Sequence, residues 1–358
     1  MDDRVRRHAE ILVDHCTDVS ADDNVLVRAP TAAADLVEAL YERLGERGAR
    51  PTTEWRHRRA ARAYRRALDA GDVRTADHRL AAMAETDVVI LIKGGENAAE
   101  GSDVDPEKSA AASRAKRPIL EERLDTRWVI TQHPTPADAQ RAELSTRAWE
   151  EFVYDAVDCD WDAQRRFQER LVDVLEPAAS VRVVSGDDTD LRLSVDGMGT
   201  FNDAGEDNMP GGEVATVPVV DSADGRIAFD LPVTRNGREI RGARLTFEDG
   251  EVVDHAAERN EAVLTALLET DDGARRLGEL GIGMNRGIDE FTDNLLFDEK
   301  MGDTVHVALG DAMAECVPDD RELNESAVHA DMLVDVSERS RIEVDGEVVQ
   351  ENGTFVFE

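Results

Sequence analysis

The apolar periodicity of this chain changes once, near Glu176, and that change constrains the fold more than any other feature. Before it, short apolar runs alternate with long helix-like segments: DNVLVRAP from Asp23, TDVVILIKGG from Thr86 and RWVITQHPT from Arg127, with TAAADLVEALYERLGERGA from Thr31 among the segments between them. An apolar run set between helices is the pattern of a strand covered on both faces, so this half predicts a largely parallel sheet. After Pro177 the period becomes two. SVRVVSGDDTDLRLSVDG and REIRGARLTFEDGEVVDH alternate around Asp and Gly turns, as antiparallel strands do. One helical stretch, AAERNEAVLTALLETDDGARRLGELG from Ala256, interrupts them. The prediction is an α/β chain: an N-terminal α/β domain over 1–176, and over 177–358 an α+β domain rich in antiparallel strands.

The second half also carries the chemistry. In ESAVHADMLVD, period two puts Val328, Ala330, Met332 and Val334 on one face and His329, Asp331 and Asp335 on the other. DTVHVALGDAM repeats the design, with Val305, Val307 and Leu309 behind and His306 and Ala308 in front. A lone strand histidine is ordinarily structural; two apolar-backed strands with histidines in front make a pattern. Upstream, NMPGGEVATVP presents Glu213 after small residues that let the backbone approach a neighbour closely, and RRLGELGIG presents Glu279 at the exit of the helical stretch. Glu213, Glu279, His306, His329 and Asp331 mix imidazoles with carboxylates, a set suited to a pair of Zn²⁺, Co²⁺ or Mn²⁺ ions rather than to Ca²⁺ or Mg²⁺.

Charge narrows the partners. With 42 Lys+Arg against 78 Asp+Glu the formal net charge is −36, which repels nucleic acid and anionic membranes. The lysines are Lys93, Lys108, Lys116 and Lys300 alone, so nearly every cation is Arg. Such a balance suits concentrated salt, where the screening length falls to roughly 3 Å at 1 M, and predicts a halophilic source. Cys16, Cys159 and Cys316 are scattered without CxxC spacing, against a disulfide scaffold or thiolate zinc knuckle. MDDRVRRHAE lacks an apolar leader core and no run reaches membrane-spanning length, so a soluble cytoplasmic protein is expected.

Other features read as bland. RHRRAARAYRR from Arg56 is expected to be a solvated helix face paired with acids, GIGMNRG from Gly281 a tight turn beside Glu279, and His133 a loop residue. His8, His15, His57, His78 and His255 sit in polar contexts with no evident partners. Asp298 and Glu299, in LLFDEK, are read as solvated bystanders ahead of an amine-binding role.

In their order and wording, NMPGGEVATVP, GARRLGELGIGMNRGI, NLLFDEKMGDTVHVALG, NESAVHADMLVD and DGEVVQENGTF closely resemble the M29 metallo-aminopeptidases, the thermophilic metalloprotease family, here as a member of haloarchaeal type. AEILVDHCTDVSADDNVLVRAP and HPTPADAQRAELSTRAWEEFVYDAVDCDWDA extend the resemblance over essentially the whole chain. It implies a homodimer with a dinuclear site in an enclosed cavity, removing N-terminal amino acids from peptides with a free N-terminus. It makes Glu213, His306, His329 and Asp331 metal ligands and Glu279 the bridging ligand that positions the water. About 3.5–4 Å apart, two such ions share an activated water and polarise the scissile carbonyl. One position departs from the family: its catalytic tyrosine, seven residues after the histidine of the Ala-Leu-Gly motif, is here Met313, which cannot donate to an oxyanion. Two alternatives stand beside this reading. One is a mononuclear iron ring-cleaving dioxygenase using His306, His329 and Asp331; the other is a non-catalytic binding relative.

Overall fold

The computed structural model describes residues 1–97, 100–235 and 238–358. The chain groups into two compact units, Met1–Cys159 with Gly205–Gly211, and Asp160–Ala204 with Gly212–Glu358. Helix Trp161–Leu175, which precedes the sequence division at 176, groups with the second unit.

In the first unit the apolar runs become strands Asn24–Pro30, Val88–Lys93 and Arg127–Gln132 of a five-stranded parallel sheet, edged by Arg50–Arg56 and Asn208–Met209. Val88, Val89, Ile90 and Ile92 are fully buried, as strands covered on both faces require. Helix Ala34–Arg47 buries Leu36, Val37, Leu40 and Leu44 and stops at Gly48, whose φ of 79° supplies the left-handed cap.

Among the described residues the second unit holds two large antiparallel sheets and a two-stranded one, Val233–Arg235 with Arg238–Ile240. Of the large sheets, one has eight strands; the other has five, in the order His329–Asp335, Thr304–Gly310, Leu277–Gly283, Glu213–Thr216, Thr200–Asp203. Val305, Val307 and Leu309, with Leu280, Ile282, Met332 and Val334, join the core that also holds Val181, Leu191, Phe247 and Ile342 of the eight-stranded sheet.

The helical stretch from Ala256 is shorter than its pattern suggested. The helix covers Glu261–Leu268, a short turn covers Gly273–Arg275, and LGELGIG is a fully buried strand. Asn260, left-handed at φ 58°, sets the late start, and Gly273, Gly278 and Gly281 disfavour helix beyond Leu268, each costing a helix interior about 1 kcal/mol relative to alanine. Glu279 therefore stands in mid-strand rather than at a helix exit, and Gly281 and Gly283 continue the strand instead of turning it.

Candidate metal centre

Register brings the expected ligands to one face of the five-stranded sheet. Glu279 and Asp331 both lie opposite Ala308, so the two acids flank a small residue in one row across three strands. His306 lies opposite Gly281, Glu213 opposite Gly283 and His329 opposite Gly310. Directly opposed residues share a face, and the glycines and alanine between the ligands leave that face hollow. A Cβ on Gly281 would sit 2.0 Å from Cε1 and 2.2 Å from Nε2 of His306: the imidazole occupies the space a side chain would fill.

Glu279 lies between the histidines. Its Oε1 is 3.3 Å from His306 Nε2 and its Oε2 is 3.3 Å from His329 Nε2. His329 Nε2 is also 3.2 Å from Asp331 Oδ1, and His306 Nε2 is 3.6 Å from Glu213 Oε2. One donor atom each from Glu279, His306 and Asp331 falls within 4.8 Å of the others. Glu213, Glu279 and His306 are buried, whereas the His329 side chain keeps 40% of its surface exposed and marks the side open to solvent.

Electrostatics favour a cation. Burial alone would lower both imidazoles, yet the Glu279 hydrogen bond, with the charges of Glu213 and Glu279, raises His306 to about 9. Asp331 and Glu279 raise His329 to about 11 against the same burial. Burial would raise Glu279, but the two histidines hold it well below the usual carboxylate range. His329 Nδ1 lies 2.8 Å from the Asp311 carbonyl, to which it donates, fixing the ring so that Nε2 faces the carboxylates.

The residues fit a divalent ion. Among the described residues, Glu213 Oε2 and His306 Nδ1 are buried without a hydrogen-bond partner. A buried polar atom left unpaired costs about 1–3 kcal/mol, which a ligand at Glu213 would relieve. Carboxylate with neutral imidazole is the donor set of zinc and its neighbours, and binding there displaces the protons the imidazoles carry.

Lys300 was absent from the expected site. Its ammonium is 1% exposed, 2.5 Å from Glu213 Oε1, 2.7 Å from Glu299 Oε1 and 4.0 Å from Asp203 Oδ2. Burial would lower it, but these three carboxylates hold it well above its ordinary value. Burial pushes Glu213 up, against the pull of the Lys300 ammonium beside it. Its rarity could have marked it, because a buried lysine is conspicuous in a chain that otherwise uses arginine. Gln168, on helix Trp161–Leu175, is also buried, and its Nε2 donates to the carbonyls of Glu213 at 2.8 Å and Asp203 at 3.1 Å, pinning those two strands.

Neighbouring expectations need correction. Asp298 is not solvated: it is 4% exposed and accepts from Thr292 N at 2.9 Å, Thr292 Oγ1 at 2.8 Å and Asn294 N at 3.1 Å, while burial raises it to about 6. Glu299 is likewise committed, to Lys300. Met313 packs against an apolar cluster of Met198, Val217 and Cys316. His8 is buried with Nε2 2.7 Å from Thr131 Oγ1, His255 Nε2 is 2.8 Å from Thr265 Oγ1, and His57 Nδ1 caps a helix by accepting from Ala60 N at 3.2 Å. His133 is a loop residue just past strand Arg127–Gln132, as expected, but it is buried, and its amide donates to the Lys93 carbonyl at 2.8 Å.

Known proteins bear on this geometry. The family described as thermophilic metalloprotease (M29) matches residues 1–358. Aminopeptidase 2 of Geobacillus stearothermophilus is 28% identical, covering 98% of this chain and 97% of its own. Aminopeptidase T of Thermus aquaticus is also 28% identical, over 99% and 96% of the two chains. The solved structure of wild-type AmpT from Thermus thermophilus superposes with a TM-score of 0.87 at 26% identity, covering 99% of each chain. A 2,5-dihydroxypyridine dioxygenase from Pseudomonas putida KT2440 shares the fold, with a TM-score of 0.60 at 16% identity over 98% of this chain and 96% of that one.

Proposed function

Because the chain belongs to the thermophilic metalloprotease family (M29) along its whole length, we propose that it is a metal-dependent aminopeptidase that removes N-terminal residues from peptides with a free N-terminus. Glu213, Glu279, His306, His329 and Asp331 would hold two divalent ions, zinc, cobalt or manganese, with Glu279 shared between them. The observation that carries this reading is Glu279, which turns one oxygen toward each imidazole. Bound divalent ions supply hydroxide near neutral pH and polarise a carbonyl.

The protein's own groups do the rest. Lys300 fixes one oxygen of Glu213 and leaves the other directed at the His306 side of the site. Asp311 orients His329 through its backbone carbonyl. The open side at His329 is where a peptide arrives, its amine drawn by the surplus of carboxylates. Met313 offers no donor, so an oxyanion is served from elsewhere in this chain. A mononuclear arrangement of His306, His329 and Asp331 would leave Glu279, which lies between the two imidazoles, outside the ligand set, and the dioxygenase likeness concerns the fold alone. A homodimer, a cytoplasmic location and a halophilic source complete the proposal, the first resting on the family resemblance and the last on the charge of −36.

The test is release of free amino acid from short peptides by metal-loaded protein in high salt, with acetylated peptides as controls. Release that stops on chelation and spares the acetylated peptides supports the proposal; cleavage of both kinds, or of neither, overturns it.

A further inference from the structure

The first unit contains a cavity of about 600 Å³ whose chemistry runs against the rest of the molecule. Arg28, Arg56, Arg58, Arg62, Arg65, Arg79 and Lys116 line it against two acids, Glu54 and Glu100, in a chain where acids outnumber bases 78 to 42. The cations come from separate elements: strands Asn24–Pro30 and Arg50–Arg56, and helices Arg58–Ala67, Asp77–Ala84 and Pro106–Leu124. The basic run from Arg56 is thus more than a solvated helix face. Arg56 ends its strand and Arg28 stands near the end of its own, at the carboxyl edge where open α/β sheets take their ligands.

The cations are not matched by carboxylates. Glu54 serves both Arg79, at 2.9 Å, and Arg28, at 3.4 Å. Arg62 and Arg66 share Asp103. Arg58 and Arg65 donate to the backbone carbonyls of Asn97 and Ala61. Among the described residues, Arg56 and Lys116 have no ion-pair partner, and Arg28 Nε is buried with no hydrogen-bond acceptor. Burial, then repulsion from Arg65, Arg28, Arg79 and Arg56, lowers the Lys116 ammonium; burial, with Arg28 and Arg58, lowers Arg56. With acids so plentiful in the sequence, a cavity that gathers seven cations against two acids is built for an anion from outside, and guanidinium forks match phosphate and carboxylate oxygens.

We propose that this cavity is a binding site for a small polyanion, a molecule carrying clustered phosphate or carboxylate groups. Calorimetric titration of the full chain with pyrophosphate and with citrate, at fixed ionic strength, tests it. Saturable one-to-one binding of either is expected, pyrophosphate the tighter if the ligand is a phosphate ester and citrate the tighter if it is a polycarboxylate. The double variant Arg56→Gln, Lys116→Gln should bind at least about tenfold more weakly. Arg56→Lys with Lys116→Arg should keep most of the affinity. Failure of both anions to saturate, unchanged affinity in the neutral double variant, or binding of a single-stranded oligonucleotide without either small anion would overturn the proposal.

Discussion

Lys300 Nζ lies 2.5 Å from Glu213 Oε1, and the two side chains are 1% and 7% exposed. An ammonium and a carboxylate sealed together in this way depend on each other. Lys300→Met should cost about 3–5 kcal/mol of unfolding free energy, because it strands a buried charge. Glu213→Gln combined with Lys300→Met should cost less than the sum of the single changes, read from urea unfolding of metal-free protein as a double-mutant cycle. Additive losses would show that the pair is not coupled.

Gly281 faces the His306 ring so closely that a methyl group has no room. Gly281→Ala should displace the imidazole, lowering metal affinity about 10–100-fold, the range seen when a ligand loses its orientation. Far-ultraviolet circular dichroism should change little. Unaltered metal affinity in a folded variant would refute the role given to this contact.

His8 predicts a pH dependence. Burial lowers its pKa from 6.5 to about 3, so the folded protein holds it neutral where the unfolded chain protonates it. A depressed folded pKa contributes stability that is present above pH 6.5 and is lost as pH falls from there toward about 3. His8→Gln, which can still bond Thr131, should therefore show a shallower decline in stability over that interval, measured by denaturant unfolding at a series of pH values. Parallel curves for the two proteins would count against a buried neutral His8.

Asp298 works with the opposite sign of shift. Burial raises it to about 6, so its contribution is greatest below its ordinary value of 3.8 and falls as pH rises through about 6. Asp298→Asn should flatten the difference in stability between acid and neutral pH, while costing about 1 kcal/mol near pH 4 through the lost acceptor for Thr292 or Asn294. A variant with the wild-type pH profile would contradict this.

The site was legible where two neighbouring residues decide a face. His306 and His329 stand in strands of strict alternation, so period two alone separated Val305, Val307 and Leu309 from the chemistry. Glu279 was misplaced because LGELGIG follows a helix and its glycines blur any period; only pairing with the strands of Glu213 and His306 makes it extended. The contact of Lys300 with Glu213, the contacts of Gln168 and the partner of His8 could not be read locally, since each spans a long stretch of chain. The arginines around Arg56 looked like one helix face until strands and helices distant in sequence supplied Arg28, Arg79 and Lys116. Local pattern fixes faces, whereas convergence needs the tertiary fold.

Elemental analysis of the wild-type protein and Glu279→Gln, both purified in high salt and equilibrated with zinc, cobalt or manganese, tests the dinuclear claim most directly. About two ions per chain in the wild type, falling below one in the variant together with loss of peptide cleavage, is the result expected of a shared ligand. A single ion in the wild type, or two retained in an active variant, would contradict it.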